Sequence, residues 1–255
     1  MAKRNTVHRR RAIVDLLSEH GEVSVDNLAD RFDTSEVTIR KDLSALENNG
    51  VLLRRYGGAV PVPQELIAPV ASEKVSKRKK AMARLAAGLI QDHNRLIIDS
   101  GSTTAALLPE LSQKQGLVVM TNALDVANAL RELENEPTLL MTGGTWDPHS
   151  EGFQGQLAEQ VLRAYNFDQL FIGADGLDLA RGTTTFNELY TLSQVMAEVA
   201  REVVVMAESE KLNRKIHNLE LPWSGVTALV TDDGFPDEAT ETLERQGVRV
   251  LRSAP

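Results

Sequence analysis

Cysteine is absent from the 255 residues, which excludes both a disulfide framework and a thiolate metal site. Histidine is sparse, and His8, His20, His93, His149 and His217 fall without metal-ligand spacing, so neither a metal nor another cofactor is expected. No apolar run is long enough to span a bilayer, and Met1-Ala-Lys-Arg-Asn5 leads into no apolar core of signal-peptide length. A cytoplasmic protein without a membrane partner is the expectation. The net charge of -8 argues against indiscriminate coating of nucleic acid. What is present is a 42% hydrophobic content, enough to bury a core in each of two domains.

Charge is uneven along the chain. Residues 1–60 hold ten Lys/Arg against nine Asp/Glu, so the acidic excess lies wholly in the remainder. Lys3, Arg4, Arg9, Arg10 and Arg11 precede any acid, and Arg40-Lys41 and Arg54-Arg55 follow. Ala12, Ile13, Leu16 and Leu17 recur at helical spacing before Gly21. Ser24 is placed to cap a second helix carrying Leu28, Ala29 and Phe32, and Ser35 a third with Ile39, Leu43 and Leu46 inward. Val37, Thr38, Lys41 and Ser44 then face outward with Arg40 on the flank, a small polar and basic surface suited to a major groove. Val51 to Tyr56, Gly57-Gly58 and Ala59-Val60 read as a β-hairpin wing. For Arg40 an ion pair with Asp42 or Glu36 is the alternative to DNA contact, and Arg9 to Arg11 suit either phosphate contact or a solvated helix start.

Pro61, Pro63 and Pro69 mark residues 61–71 as a linker between a domain at 1–60 and one at 72–255. Ser72 to Gln91 reads as a helix whose basic start, Lys77-Arg78-Lys79-Lys80, is expected to be solvated. From Arg95 onward short apolar runs alternate with helical patterns, which predicts an α/β fold with a largely parallel sheet. Ligands of such sheets bind beyond the carboxyl ends of the strands. The loops there are Asp99-Ser-Gly-Ser-Thr-Thr104, Thr121-Asn122, Thr142-Gly143-Gly144, Gly173-Ala-Asp175-Gly176 and Thr183 to Glu188, the last leading into a helix.

Ser35-Glu-Val-Thr-Ile-Arg-Lys-Asp-Leu43 followed by Arg55-Tyr-Gly-Gly-Ala59 resembles the N-terminal signature of the DeoR family of bacterial transcriptional repressors. The later loops are similar to that family's C-terminal sensor, which is related in fold to ribose-5-phosphate isomerase. The resemblance implies a winged helix-turn-helix plus an α/β sensor, and a homo-oligomer, dimer or tetramer, that binds operator DNA under control of a phosphorylated sugar. The implied DNA contacts are Ser35, Val37, Thr38, Arg40, Lys41, Ser44, Arg54 and Arg55. For the effector they are Ser100, Gly101, Ser102, Thr103, Thr104 and Lys211 at the phosphate, and Asp99, Asp175, Asn187 and Glu188 at the hydroxyls, with Asn122, Gly143 and Gly144 beside them. The stretch Gly173 to Glu188 looks more like regulators of sugar-alcohol or amino-sugar operons than of glycerol. Where the family commonly carries Asp-Ser-Ser-Lys-Phe, this chain has Glu208-Ser-Glu210-Lys211-Leu212, which sets a further negative charge beside the lysine. The alternative is an isomerase-like enzyme carrying a DNA-binding module, with Asp175, Glu188 and Lys211 moving protons.

Overall fold

A computed structural model describes residues 9–10, 12–14, 16–17, 21–47, 52–55, 57–61, 76–148, 150–187, 190–214 and 216–254. Glu188, the proposed linker beyond Pro61, and Lys3, Arg4 and Arg11 lie outside the described residues. The chain forms two compact units, residues 1–73 and 74–255.

In the first unit residues 9–10, 12–14 and 16–17 are helical, and β1 (Val23–Ser24), α1 (Val25–Arg31), α2 (Glu36–Glu47), β2 (Leu52–Arg55) and β3 (Gly58–Pro61) follow. Ser24 Oγ accepts from Asn27 N–H at 3.2 Å and Ser35 Oγ from Thr38 N–H at 3.3 Å, so both expected caps are in place. Between the helices Asp33 takes a left-handed conformation (φ 46°), which an aspartate tolerates better than a branched residue would. Ile13, Leu16, Leu17, Leu28, Ile39, Leu43, Leu46 and Leu52 close one core. The wing is three-stranded, in antiparallel order β1-β3-β2, because the short segment before α1 adds itself to the expected hairpin.

The second unit opens with α3 (Lys77–Ala87), β4 (Arg95–Ile98), α4 (Ser102–Ala105), β5 (Val118–Thr121), α5 (Leu124–Arg131) and β6 (Thr138–Met141). The hairpin β7 (Thr145–Asp147) and β8 (Gly152–Gln154), α6 (Gln156–Arg163), β9 (Phe167–Ile172), β10 (Gly176–Asp178), β11 (Gly182–Thr185) and α7 (Thr191–Glu198) come next. β12 (Ala200–Met206), β13 (Asn218–Pro222), β14 (Ala228–Thr231), α8 (Asp237–Arg245) and β15 (Arg249–Arg252) complete it. Seven strands form one parallel sheet in the order β15-β14-β12-β9-β4-β5-β6. Its central strands are apolar without alternation because both faces are covered. Ile97, Leu170 and Val205 point to a core shared with α6, α7 and α8, whereas Ile98, Phe171 and Val204 point to one shared with α3 and α5.

Two expectations are corrected. Thr183 to Thr185 are not loop: they belong to β11, the middle strand of the antiparallel sheet β10-β11-β13, where backbone pairing on both sides holds them buried. The segment from Ala105 to Leu111, one of the helical patterns expected to alternate with the apolar runs after Arg95, is divided between the single turn of α4 and a 3-10 segment at Leu108–Gln113, with Pro109 near its start withholding a backbone donor. Gly182 sits at the entry of β11 with φ 145°, and a Cβ there would lie 2.0 Å from the Leu221 carbonyl oxygen. Gly182→Ala is therefore expected to force β11 from β13 and cost the second unit about 2 kcal/mol or more. Urea unfolding followed by tryptophan emission checks this, since Trp223 lies just beyond β13 and Trp146 on β7. An unchanged midpoint would mean that the pairing is slack.

Candidate functional site

On the first unit the outward side of α2 carries the expected residues. Val37 is 59% exposed, unusual for a valine, and Lys41 and Arg55 are exposed with no ion pair among the described residues. Ser35 and Thr38 share a 2.9 Å hydroxyl contact at the helix start. Arg40 pairs with Glu36 at 2.5 Å, one turn back on the exposed surface. Arg54 donates to Ser44 Oγ at 2.8 Å, and its backbone N–H donates to Glu47 Oε1 at 2.9 Å, so the wing is tied to the end of α2. Arg9 and Arg10 are only partly exposed and are turned inward: their Nε atoms donate to Asp42 at 2.6 and 2.8 Å, and Asp42 is buried. The two arginines thus lock the first helix to α2.

In the second unit the strand order places the site. The first three strands run outward as β4-β5-β6, and the later ones turn back as β9-β12-β14-β15, so β4 and β9 are neighbours from opposite directions of growth. A crevice opens at such a switch point because the loops beyond the two strands part to opposite sides. Asp99 to Thr104 follow β4, Asn122 follows β5, and Gly173 to Asp175 follow β9. Asn122 Oδ1 accepts from Ser100 N–H at 3.2 Å, joining the first two loops. Thr104 Oγ1 is 2.9 Å from the carbonyls of Asp99 and Gly101, and Thr103 is buried, so Ser100, Gly101 and Ser102 carry the accessible side of this loop. Asp175 Oδ2 accepts from Thr185 Oγ1 at 2.9 Å and Phe186 N–H at 3.1 Å, which aims it from the β9 loop toward the end of β11.

Lys211 Nζ donates to the Ala174 carbonyl at 2.6 Å, bringing the loop after β12 onto the loop after β9. Glu210 turns away: its side chain is half exposed and pairs with Arg214 at 3.3 Å. Ser209 anchors the same segment by donating to Asp232 with its N–H and its hydroxyl, both at 2.7 Å. Burial works upward on the Asp232 carboxyl, but these two bonds and the Gly234 N–H hold it below the ordinary range. Gly144 is packed rather than open, since a Cβ there would meet the Gln154 carbonyl oxygen at 2.6 Å; its missing side chain lets β8 close in. Gly143 precedes it with φ 61°. Asn187 Nδ2 reaches Gln154 Oε1 at 3.4 Å.

Several contributors carried no sequence signal. Gly152 brings β8 against Ser100 and Asn122, and Gln154 reaches Asn187. Glu220, within the apolar Leu219-Glu-Leu221, is buried and accepts from Ser193 Oγ at 2.8 Å and from Thr183 Oγ1 at 3.2 Å. Burial, then the charges of Asp99 and Asp175, push its carboxyl up to about 8 against those two hydrogen bonds. Burial also pushes Asp99 up to about 6, in spite of hydrogen bonds from Ser100 and Asn122. The site therefore gathers three carboxyl groups, two of them reluctant to ionise. A protonated carboxyl and backbone donors beside charged oxygens can take a polyhydroxylated ligand from both its donor and its acceptor side. Among the described residues no group of three or more His, Asp or Glu is placed to hold a metal, and no helix is long and apolar enough to cross a membrane.

Residues 74–233 match the DeoR C terminal sensor domain family, and residues 9–65 the DeoR-like helix-turn-helix domain family. The chain is 37% identical over 252 residues to a protein put forward as the aga operon transcriptional repressor of Escherichia coli O157:H7, covering 96% of this chain and 93% of that one. It is 32% identical over 247 residues to the HTH-type transcriptional regulator GlpR of Haloferax volcanii, covering 95% and 96%. Ribose 5-phosphate isomerase A from Methanocaldococcus jannaschii matches with a TM-score of 0.38 at 19% identity, over 52% of this chain and 53% of that one. With both domains matched in order and relatives aligned over almost its whole length, the chain belongs to the DeoR family of transcriptional regulators.

Proposed function

We propose that the protein represses a carbohydrate-utilisation operon by binding operator DNA through α2 and the wing, and that a phosphorylated sugar, sugar alcohol or amino sugar binds at the carboxyl ends of the sheet and changes that affinity. The observation that carries the reading is the convergence of the β4, β5, β9 and β12 loops at the reversal of strand order, in a chain that also presents a helix-turn-helix. In the first unit Val37 would meet a thymine methyl, Thr38 and Lys41 base edges or phosphates, and Arg54 and Arg55 the flanking backbone. Ser100 to Thr104 and Lys211 would receive the phosphate, with Asp99, Asp175 and Asn187 at the hydroxyls. One such helix gives few base contacts, so a homo-oligomer pairing two half-sites is part of the reading. The isomerase alternative loses ground because both matched families and the aligned relatives are transcriptional regulators.

The test is binding of the purified chain to DNA upstream of its own and neighbouring genes, at stated salt, with and without phosphorylated sugars and their unphosphorylated counterparts. One specific fragment whose affinity only phosphorylated compounds alter would support the reading. Indifference to all of them would remove the sensor half. Lys41→Ala is expected to weaken binding to the operator and to unrelated DNA by similar factors and to lower the salt slope by about 1, as loss of a phosphate contact does. A loss confined to the operator would assign Lys41 to a base instead.

A further inference from the structure

The basic run at the start of α3 is expected to be solvated, yet its third side chain turns in among the loops that end the sheet. Lys79 Nζ donates to Ser102 Oγ at 2.9 Å and stands 3.9 Å from Glu208 Oε2. The Lys79 and Glu208 side chains keep only 19% and 14% of their exposure. The helix start fixes the position, because Ser76 Oγ accepts from the Lys79 N–H at 3.2 Å. Lys77 and Lys80, by contrast, are exposed and form no ion pair among the described residues. Ser102 follows β4 and Glu208 follows β12, the two strands that flank β9. The ammonium therefore spans the carboxyl end of β9, where Ala174 receives Lys211.

The donor inventory at this point fits an anion. At 3.9 Å Glu208 accepts no hydrogen bond from the ammonium and leaves the N–H groups available. Ser102 takes one of the three N–H donors through its oxygen, and its own O–H stays free to donate. A phosphate monoester dianion offers acceptors only, so it can receive both groups together. We propose that Lys79 is a direct ligand of the effector's phosphate, which draws the ammonium away from Glu208 and so grips the first turn of the helix that follows the linker. The proposal rests on the sugar-phosphate reading of the sensor.

Calorimetry on the full chain with hexose 6-phosphates, pentose 5-phosphates and inorganic phosphate tests it, using Lys79→Met, Lys80→Met and Glu208→Gln beside the wild type. Lys79→Met should weaken binding roughly tenfold or more, the worth of one charge-assisted hydrogen bond. Lys80→Met removes the same charge from an exposed neighbour and should leave binding within about threefold. Glu208→Gln should bind more tightly, since the competing carboxylate is gone. Equal weakening by both lysine variants would reduce the effect to a general field and overturn the proposal. An unchanged Lys79→Met beside a binding wild type would overturn it while the sensor reading stands. Failure of the wild type to bind any of these compounds removes both. If Lys79→Met does not fold, Glu208→Gln decides alone: tighter binding supports Lys79 as the ligand, and unchanged or weaker binding overturns it.

Discussion

Replacing Asp42 with alanine is expected to abolish operator binding and to cost the first unit about 3–5 kcal/mol, the usual penalty for stripping one partner from a buried ion pair. The carboxylate lies on α2 beside Leu43, buried, and its two oxygens are taken separately by Arg10 Nε at 2.8 Å and Arg9 Nε at 2.6 Å. The Arg10 side chain is 35% exposed and can swing into water, so its share of the loss is small; that of Arg9, at 14%, is largely covered and must stay charged without a counterion. A unit of this size has little stability in reserve, and α2 cannot present Val37 and Lys41 if its packing on the first helix loosens. Asp42→Asn keeps the acceptor oxygen and should lose less. Hydrogen exchange distinguishes the cases: protection along α2 should collapse in Asp42→Ala while the β9 and β12 amides keep theirs. Unchanged protection in α2 would show that the pairs are worth no more than surface contacts.

Asp42 also marks where sequence reasoning stops. Periodicity placed Ile39, Leu43 and Leu46 inward because residues three and four apart share a helical face, and all three are buried. Sequence spacing offers Arg40 either Glu36 or Asp42, and Arg40 pairs with Glu36; the partners of Asp42 stand 32 and 33 residues earlier, a separation that only tertiary packing can close. The same division holds in the second unit. The apolar runs mark loops that a parallel sheet gathers at one edge. The reversal between β4 and β9, which makes one part of that edge a crevice, depends on which strands pair and has no local signature. Lys79 and its neighbours Lys77 and Lys80 are chemically alike on paper, yet only the first enters the loops. Thr183 to Thr185 read as a polar loop because their burial comes from backbone pairing with β10 and β13, not from apolar side chains. Glu220 was hidden for the opposite reason: an isolated acid in an apolar strand reads as an outward-facing residue.

Glu220→Gln is expected to change the pH dependence of the second unit more than any other single substitution in the site. The Glu220 carboxyl is pushed up to about 8 in the folded chain, by burial first and by the charges of Asp99 and Asp175 next, against an ordinary 4.5. A raised carboxylate means that the folded state holds a proton which the unfolded state has already released. Stability must then fall as pH rises from about 4.5 to about 8, by about 1.4 kcal/mol per pH unit, and level off above. Asp99, raised to about 6, adds a fall of the same sign at the lower end of that range. Glutamine cannot ionise and can still accept from Ser193, so the variant should lose the upper part of the fall and be the more stable protein at pH 8. Its Asp99 should titrate as before, since a protonated Glu220 carries no charge while Asp99 ionises. Urea unfolding of wild type and variant between pH 5 and pH 9, with carboxyl carbon shifts to follow Asp99, measures both effects. Parallel stability curves would mean that Glu220 ionises freely at neutral pH, and the site would then hold three full charges. A neutral Glu220 instead leaves one negative charge fewer near Asp99 and Asp175, and alkaline pH restores it.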